Sequence, residues 1–267
     1  MPTPFIKMHG LGNDFVVLDG RARAIELTVA QRRALCDRHR GAGCDQLIVL
    51  EPASDADVTM RIHNPDGGEA DACGNAARCV ALLFPDPVVI ATAGGPVRAE
   101  RSGDAVRVDM GAPRFDWTEI PLGRAMDTAA LPLGWGALSS PAALNVGNPH
   151  VVFFVGDADA VPLAELGPVI ERDPVFPQGV NVSVAQPVLG GLRLRVWERG
   201  AGLTQACGTA ACAAAVAAIR AGHAASPVEV ALPGGTLSIE WTEGGSIHMT
   251  GPATRVFDGT IDLEALA

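Results

Sequence analysis

Lysine is almost missing from this chain: Lys7 is the only one in 267 residues. A pyridoxal phosphate enzyme needs a lysine for its Schiff base, so that chemistry would have to stand beside Met8, His9 and Gly10 near the N-terminus or nowhere. No Gly-Lys-Ser or Gly-Lys-Thr occurs, which removes the P-loop. Zinc has little to work with either: Cys36, Cys44, Cys73 and Cys79 show no C-x-x-C spacing, and the histidines are scattered. The expectation is a protein without cofactor or metal. Long apolar runs are missing as well, since none approaches the roughly 18 residues that span a bilayer. The nearest, residues 206–219, holds Cys, Gly and Thr among its alanines and ends at Arg220, so it reads as a buried helix. Basic residues form no stripe, and the net charge is −10, which argues against nucleic acid or an anionic membrane as partner. No apolar signal segment follows Met1-Pro2-Thr3-Pro4, and six cysteines without one imply a reduced, cytoplasmic protein.

What the chain does have, it has twice. Asp71-Ala72-Cys73-Gly74-Asn75-Ala76-Ala77 is answered by Gln205-Ala206-Cys207-Gly208-Thr209-Ala210-Ala211, with the second cysteine 134 residues after the first. Gly12-Asn13 is answered by Gly147-Asn148, Arg61 and Asn64 by Arg195 and Glu198, and Gly94-Gly95 by Gly234-Gly235. These offsets describe two diverged copies of one domain. The length and the 48% hydrophobic content suffice for two cores.

The coarse pattern repeats too. Phe15 to Leu18 reads as a strand, Thr28 caps a helix to about Arg38, and 46–50 and 58–63 are strands. Asn64-Pro65-Asp66-Gly67-Gly68 ends the last of these in a loop. A helix runs from Cys73 to Leu83, followed by a meander over 88–92, 97–101 and 105–110. The second copy reads as a strand at 151–155, a helix at 163–172, strands at 181–185 and 192–197, a helix at 207–221, and a meander over 228–232, 236–241 and 246–250. The Pro- and Gly-rich stretch between Gly111 and Pro141 marks the boundary. We expect an α/β (α+β) fold of two pseudo-symmetric domains, 1–115 and 116–254, with the tail 255–267 packing back on the first. Each domain would be a mixed, mostly antiparallel sheet or barrel wrapped around an apolar helix, the helix N-termini meeting at an inter-domain cleft that holds the active site.

A cysteine at a helix start meets the positive end of the backbone dipole and the unpaired N–H groups of the first turn. At roughly 0.3 to 2 kcal/mol for the dipole and 1.36 kcal/mol per pKa unit, its thiolate is favoured by about one unit. A buried cysteine is ordinarily core material, and that reading stands for Cys36, Cys44, Cys79 and Cys212. For Cys73 and Cys207 the duplication reverses it, because a glycine follows each and lets a substrate approach the backbone. Two thiols reaching one carbon from opposite sides suit removal of a proton from one face and delivery to the other. Glu198-Arg199 can receive an ammonium and a carboxylate, or form a surface ion pair. The Asn13 and Asn148 turns can be site elements or plain turn chemistry.

With Lys7-Met8-His9-Gly10-Leu11-Gly12-Asn13-Asp14-Phe15, Ala72-Cys73-Gly74-Asn75, Asn148-Pro149-His150 and Glu198-Arg199-Gly200-Ala201-Gly202 leading to Ala206-Cys207-Gly208-Thr209, the chain resembles the diaminopimelate epimerases over nearly its whole length. The resemblance implies cofactor-independent epimerisation of LL-2,6-diaminopimelate to the meso form, a precursor of lysine and of peptidoglycan. It implies Cys73 and Cys207 as exchanging base and acid, and backbone N–H groups around Gly74, Asn75, Gly208 and Thr209 as the seat of the reacting carboxylate. Asn13, Gln46, His150 and Glu198 would surround the reacting end, with His150 and Glu198 assisting the chemistry. Asn64, Asn148, Asn181 and Arg199 would hold the distal end. A homodimer is implied as well. Two departures are visible: Ala76 stands where many members have Gly, and Phe257 where many have a tyrosine near a dimer contact. Two other readings stay open at this stage: a racemase or epimerase of another amino acid such as proline or hydroxyproline, and an inert amino-acid-binding protein.

Overall fold

The computed structural model describes residues 2–266. The chain divides into two compact units, residues 1–108 with 251–267, and residues 109–250.

In the first unit, Thr3–Gly10 and Asn13–Asp19 form an antiparallel hairpin. Asn13–Asp19 then runs parallel to Gln46–Glu51, with helix α1 (Val29–Cys36) in the crossover. Thr28 and Gln31 build a reciprocal capping box at the start of α1, which is why the helix begins there. Gln46–Glu51 is antiparallel to Val58–His63, which in turn is parallel to Val88–Thr92. Helix α2 (Gly74–Ala81) lies in that second crossover, and the meander closes with Gly95–Ser102 and Ala105–Asp109.

The second unit repeats this order. Ala142–Asn145 is antiparallel to Pro149–Phe154, which is parallel to Asn181–Val188 across helix α3 (Leu163–Glu171). Asn181–Val188 is antiparallel to Gly191–Glu198, which is parallel to Val228–Leu232 across helix α4 (Gly208–Arg220). Gly235–Glu240 and His248–Pro252 complete the second meander. The register is duplicated as well: Phe15 opposite Gln46 corresponds to His150 opposite Asn181, and Leu47 opposite His63 to Val182 opposite Trp197.

Both central helices are buried along nearly their whole length. All eight residues of α2 are buried, as are Gly208 and Ala210 through Ala218 of α4. Alanine is the best helix former and has no bulk to hold neighbours away. α4 accordingly packs against strands 142–145, 149–154, 181–188, 191–198, 228–232 and 235–240 of its own unit. Cys79 and Cys212 are wholly buried in these helices, and Cys36 and Cys44 are buried with their sulfurs 3.6 Å apart, so all four are core.

Among the described residues, three strands of four or more residues have no counterpart in the sequence reading, Ala142–Asn145 and the longer Thr3–Gly10 and Thr254–Ile261. Thr3–Gly10 contains Lys7, His9 and Gly10, and its alternation is weak. Thr254–Ile261 is mostly exposed and shows no apolar pattern. The two pair with each other, Thr3 opposite Ile261 through His9 opposite Thr254, with an irregularity at Lys7/Met8. Backbone hydrogen bonding across the whole chain length, invisible to any local window, makes them strands.

Candidate active site

Each cysteine of the repeated motif is the N-cap of its helix. Cys73 has φ −149° and ψ 109°, Cys207 φ −129° and ψ 109°, the extended backbone that an N-cap takes before the first helical residue. Gly74, Asn75, Gly208 and Thr209 therefore lie in the first turns of α2 and α4, where backbone N–H groups lack intrahelical acceptors.

The side-chain settings of the two sulfurs differ. In the first unit Cys73 Sγ takes the true capping role and accepts from the Ala76 N–H at 3.4 Å. In the second, Cys207 Sγ donates to Glu198 Oε2 at 3.0 Å and lies 3.5 Å from Thr209 Oγ1, while Thr204 Oγ1 donates to Glu198 Oε1 at 2.5 Å. Burial, then the neighbouring Glu198 charge, push the Cys207 thiol well above its ordinary value. This corrects the thiolate expected from the helix dipole. A dipole effect of about 0.3 to 2 kcal/mol is outweighed by desolvation of a charge and repulsion from a carboxylate.

Around Cys73 the first unit assembles a polar chain. Asn13 opens its strand because Leu11 (φ 56°) and Gly12 (φ 84°) turn the hairpin in two residues. Positive φ at both central positions is the type I′ geometry, costly for leucine and free for glycine. Asn75 Nδ2 donates to Asn13 Oδ1 at 3.0 Å, and Asn13 Nδ2 to Asp45 Oδ2 at 3.0 Å. Arg78, fully buried on α2, donates from Nη2 to Asn75 Oδ1 at 2.9 Å and from Nε to the Pro252 carbonyl at 3.2 Å. Gln46 Nε2 donates to Asn64 Oδ1 at 2.9 Å, so these two expected site residues also meet. Beyond Asp45, Arg38 bridges Asp45 and Asp14. Burial acts to raise the Asp14 carboxyl, but hydrogen bonds from Arg38 and Lys7 prevail and bring it down to about 2.

In the second unit Asn148 Oδ1 lies 2.7 Å from His150 Nε2, and Asn181 ties two segments together by donating to the Pro149 carbonyl at 2.9 Å and accepting from the Arg199 N–H at 2.9 Å. The Arg199 guanidinium donates to the Gln178 carbonyl at 3.0 Å. Glu171 grips the Glu198-Arg199 segment from both sides, accepting from Trp197 Nε1 at 2.7 Å and from the Gly200 N–H at 3.0 Å. Glu198 therefore faces a thiol and a hydroxyl. Asp45, Arg78, Glu171 and Thr204 escaped the sequence reading. Arg78 alone left a trace, three residues after Asn75 on one helix face.

His150 is completely buried, and burial with the Arg199 charge holds its pKa down to about 3. Its ring is neutral at physiological pH, a hydrogen-bonding surface and not a cation. Because the folded value lies below the ordinary one of 6.5, the unfolded chain binds the extra proton. Stability from this group is present above pH 6.5 and is lost as pH falls from 6.5 toward 3, with a slope of at most about 1.4 kcal/mol per pH unit. We expect the His150 ring resonances to stay unchanged between pH 8 and pH 5 in NMR spectra. A midpoint near 6.5 would show an accessible imidazole.

Among the described residues, no group of three or more His, Cys, Asp or Glu is arranged to hold a metal ion, and no helix is long and apolar enough to cross a membrane. The sequence model of diaminopimelate epimerase matches residues 5–115 and 142–256, which include both cysteine motifs. The chain belongs to the diaminopimelate epimerase family. Diaminopimelate epimerases from Sphingopyxis alaskensis and Erythrobacter litoralis are 59% and 58% identical to it, each alignment covering 98% of both chains. Solved structures extend the fold beyond the diaminopimelate epimerases. A PhzF-family phenazine biosynthesis protein from Bacillus anthracis superposes with TM-score 0.70 at 15% identity, covering 98% of this chain and 99% of that one. A probable proline racemase from Agrobacterium radiobacter superposes with TM-score 0.68 at 20% identity, covering 98% and 93%. At those identities the likeness is one of architecture: two duplicated domains of mixed sheet.

Proposed function

We propose that the protein epimerises LL-2,6-diaminopimelate to the meso form with Cys73 and Cys207 as the two acid–base groups, without cofactor or metal. The observation that carries this reading is the cysteine built twice as a helix N-cap in the same extended conformation, within a chain 59% identical to a diaminopimelate epimerase. That identity over the whole chain also sets this substrate ahead of proline or hydroxyproline, and ahead of an inert binder.

The α-proton of an amino acid is a far weaker acid than a thiol, so the base needs help. Backbone N–H groups at Gly74, Asn75, Gly208 and Thr209 would receive the reacting carboxylate as it gains enolate charge, and one such donor is worth about 2.7 to 4 kcal/mol in other enzymes. One thiolate takes the α-proton; the other thiol gives its proton to the opposite face. Cys207, its thiol raised by burial, enters as the acid, and Glu198 is the acceptor that lets it serve as base in the reverse direction. Asn13, Gln46 and the neutral His150 line the reacting end. Asn64, Asn148, Asn181 and Arg199 hold the distal end, where a carboxylate and an ammonium must be read and left unreacted. We take the two copies of the repeat to be residues 1–115, joined by the tail 255–267, and 116–254, each limit a few residues beyond that of the compact units at 108 and 250.

The surroundings belong to the same proposal. The enzyme works in the cytoplasm, where the two thiols stay reduced. It works as a homodimer, supported by Val256 and Phe257, both about half exposed on one strand. Because the proton delivered is not the proton removed, product formed in D2O carries deuterium at the inverted carbon. We expect one solvent deuterium per turnover at one carbon of LL-diaminopimelate, unchanged after dialysis against a chelator. Full retention of the substrate's own proton, or activity lost to the chelator and restored by a metal, would overturn the reading.

A further inference from the structure

Asn75 and Asn13 lie in series between two groups of opposite and fixed character. At one end stands Arg78, whose guanidinium can only donate; at the other stands Asp45, whose carboxylate can only accept. Arg78 Nη2 meets Asn75 Oδ1 at 2.9 Å, Asn75 Nδ2 meets Asn13 Oδ1 at 3.0 Å, and Asn13 Nδ2 meets Asp45 Oδ2 at 3.0 Å. Only one arrangement of the two amides satisfies this chain. Flipping either would set an N–H against an N–H or an oxygen against an oxygen, and an ionised partner makes such a mismatch costly.

We propose that Arg78 and Asp45 are positioning residues that lock the amide orientation of Asn75 and Asn13 from both ends before substrate arrives. Each end is itself held. Arg78 is fully buried and is tied to the Pro252 carbonyl at 3.2 Å, and a Cβ on Gly10 would come within 2.9 Å of its Nη2, so the glycine makes room for the guanidinium. Asp45 accepts from Arg38 Nη2 at 2.8 Å and from the Asp14 N–H at 3.1 Å. The other copy of the repeat serves as an internal comparison. There the positions answering Asn75 and Arg78 are Thr209 and Cys212, and Asn148 faces His150 instead. The same backbone thus carries a bracketed amide pair in the first unit alone. In function, the lock fixes which way each amide of Asn13 and Asn75 presents its N–H and its oxygen to the substrate.

The kinetic part of this inference rests on the proposed epimerisation; the structural part does not. In the parent protein, the side-chain amide protons of Asn13 and Asn75, assigned in 1H–15N spectra by single substitution, should exchange slowly with solvent. Asp45→Asn and Arg78→Gln each replace a one-way group with one that donates and accepts, and should speed that exchange at both asparagines. Each should also lower kcat/KM on the order of 10-fold or more, Asp45→Asn in protein that unfolds at nearly the parent temperature. Arg78→Lys keeps a donor-only group and should retain most of what Arg78→Gln loses, a ranking that a purely structural role would not produce. Should the buried Arg78 variants fail to fold, Asp45→Asn at the more exposed end decides the matter. Fast amide exchange in the parent, or a folded Asp45→Asn protein within about twofold of parental kcat/KM, would overturn the lock. A parent inactive on LL-diaminopimelate would sink the proposed reaction, and the exchange measurement would still judge the lock.

Discussion

Replacing either Cys73 or Cys207 by alanine is expected to lower epimerisation by about 10²- to 10⁴-fold, the usual worth of a positioned acid or base, and to leave the fold intact. Inversion needs a group on each face of the α-carbon, and no single thiol can serve both within one turnover. We expect both positions to accept alanine without loss of the fold. The cap contact of Cys73 is long, at 3.4 Å from the Ala76 N–H, and Cys207 makes no side-chain cap hydrogen bond and donates to Glu198. The loss of the weak cap at position 73 falls at the low end of about 0.5 to 2 kcal/mol. Kinetics in both directions, with circular dichroism and a thermal midpoint for each variant, provide the check. Near-parental turnover in either single variant would end the two-thiol reading.

Glu198→Gln is expected to impair the same reaction through the proton affinity of Cys207. In the parent, burial and the Glu198 charge together hold this thiol well above its ordinary value. Removing the charge takes away the repulsion and the strong acceptor, so the thiol becomes more acidic while losing the group that receives its proton. The two consequences separate experimentally. Epimerisation falls by about 10²-fold or more, as for other general-base losses. Alkylation of Cys207 by iodoacetamide, followed in a Cys73→Ala background, is expected to need alkaline pH with Glu198 in place. In the Glu198→Gln variant it sets in at lower pH. The sign follows from linkage: alkylation tracks the thiolate, and a lowered thiol pKa moves the rise in thiolate toward neutrality. An unchanged alkylation profile would mean that the Glu198 contact does not govern the thiol.

Much of this was legible in the chain, because the signals that carry it are short. Thr28 and Gln31 announce a helix start three residues apart, and proline and glycine punctuate the strands. The repeated Cys-Gly followed by small residues marks both central helices, whose observed spans of Gly74–Ala81 and Gly208–Arg220 lie inside the expected ones. The strand pair Thr3–Gly10 and Thr254–Ile261 was not legible. Neither segment alternates cleanly, and each is a strand only because the other lies beside it.

The sequence by itself determined the duplication, the positions of the two cysteines at helix starts, and membership of the diaminopimelate epimerase family. These are properties of residue order and of contacts within a few residues. Tertiary structure alone decided the character of the groups. Cys73 and Cys207 share a motif and a backbone conformation, yet one sulfur accepts an N–H and the other donates to a carboxylate, because Glu198 ends a strand nine residues upstream of Cys207 and folds back onto it. His150 is neutral because its ring is sealed in the core, and Asn13 faces Asn75 because a tight hairpin and a buried helix bring positions 62 residues apart to 3.0 Å. Proton affinity and amide orientation depend on burial and on partners brought from distant segments, and neither is written into local residue order.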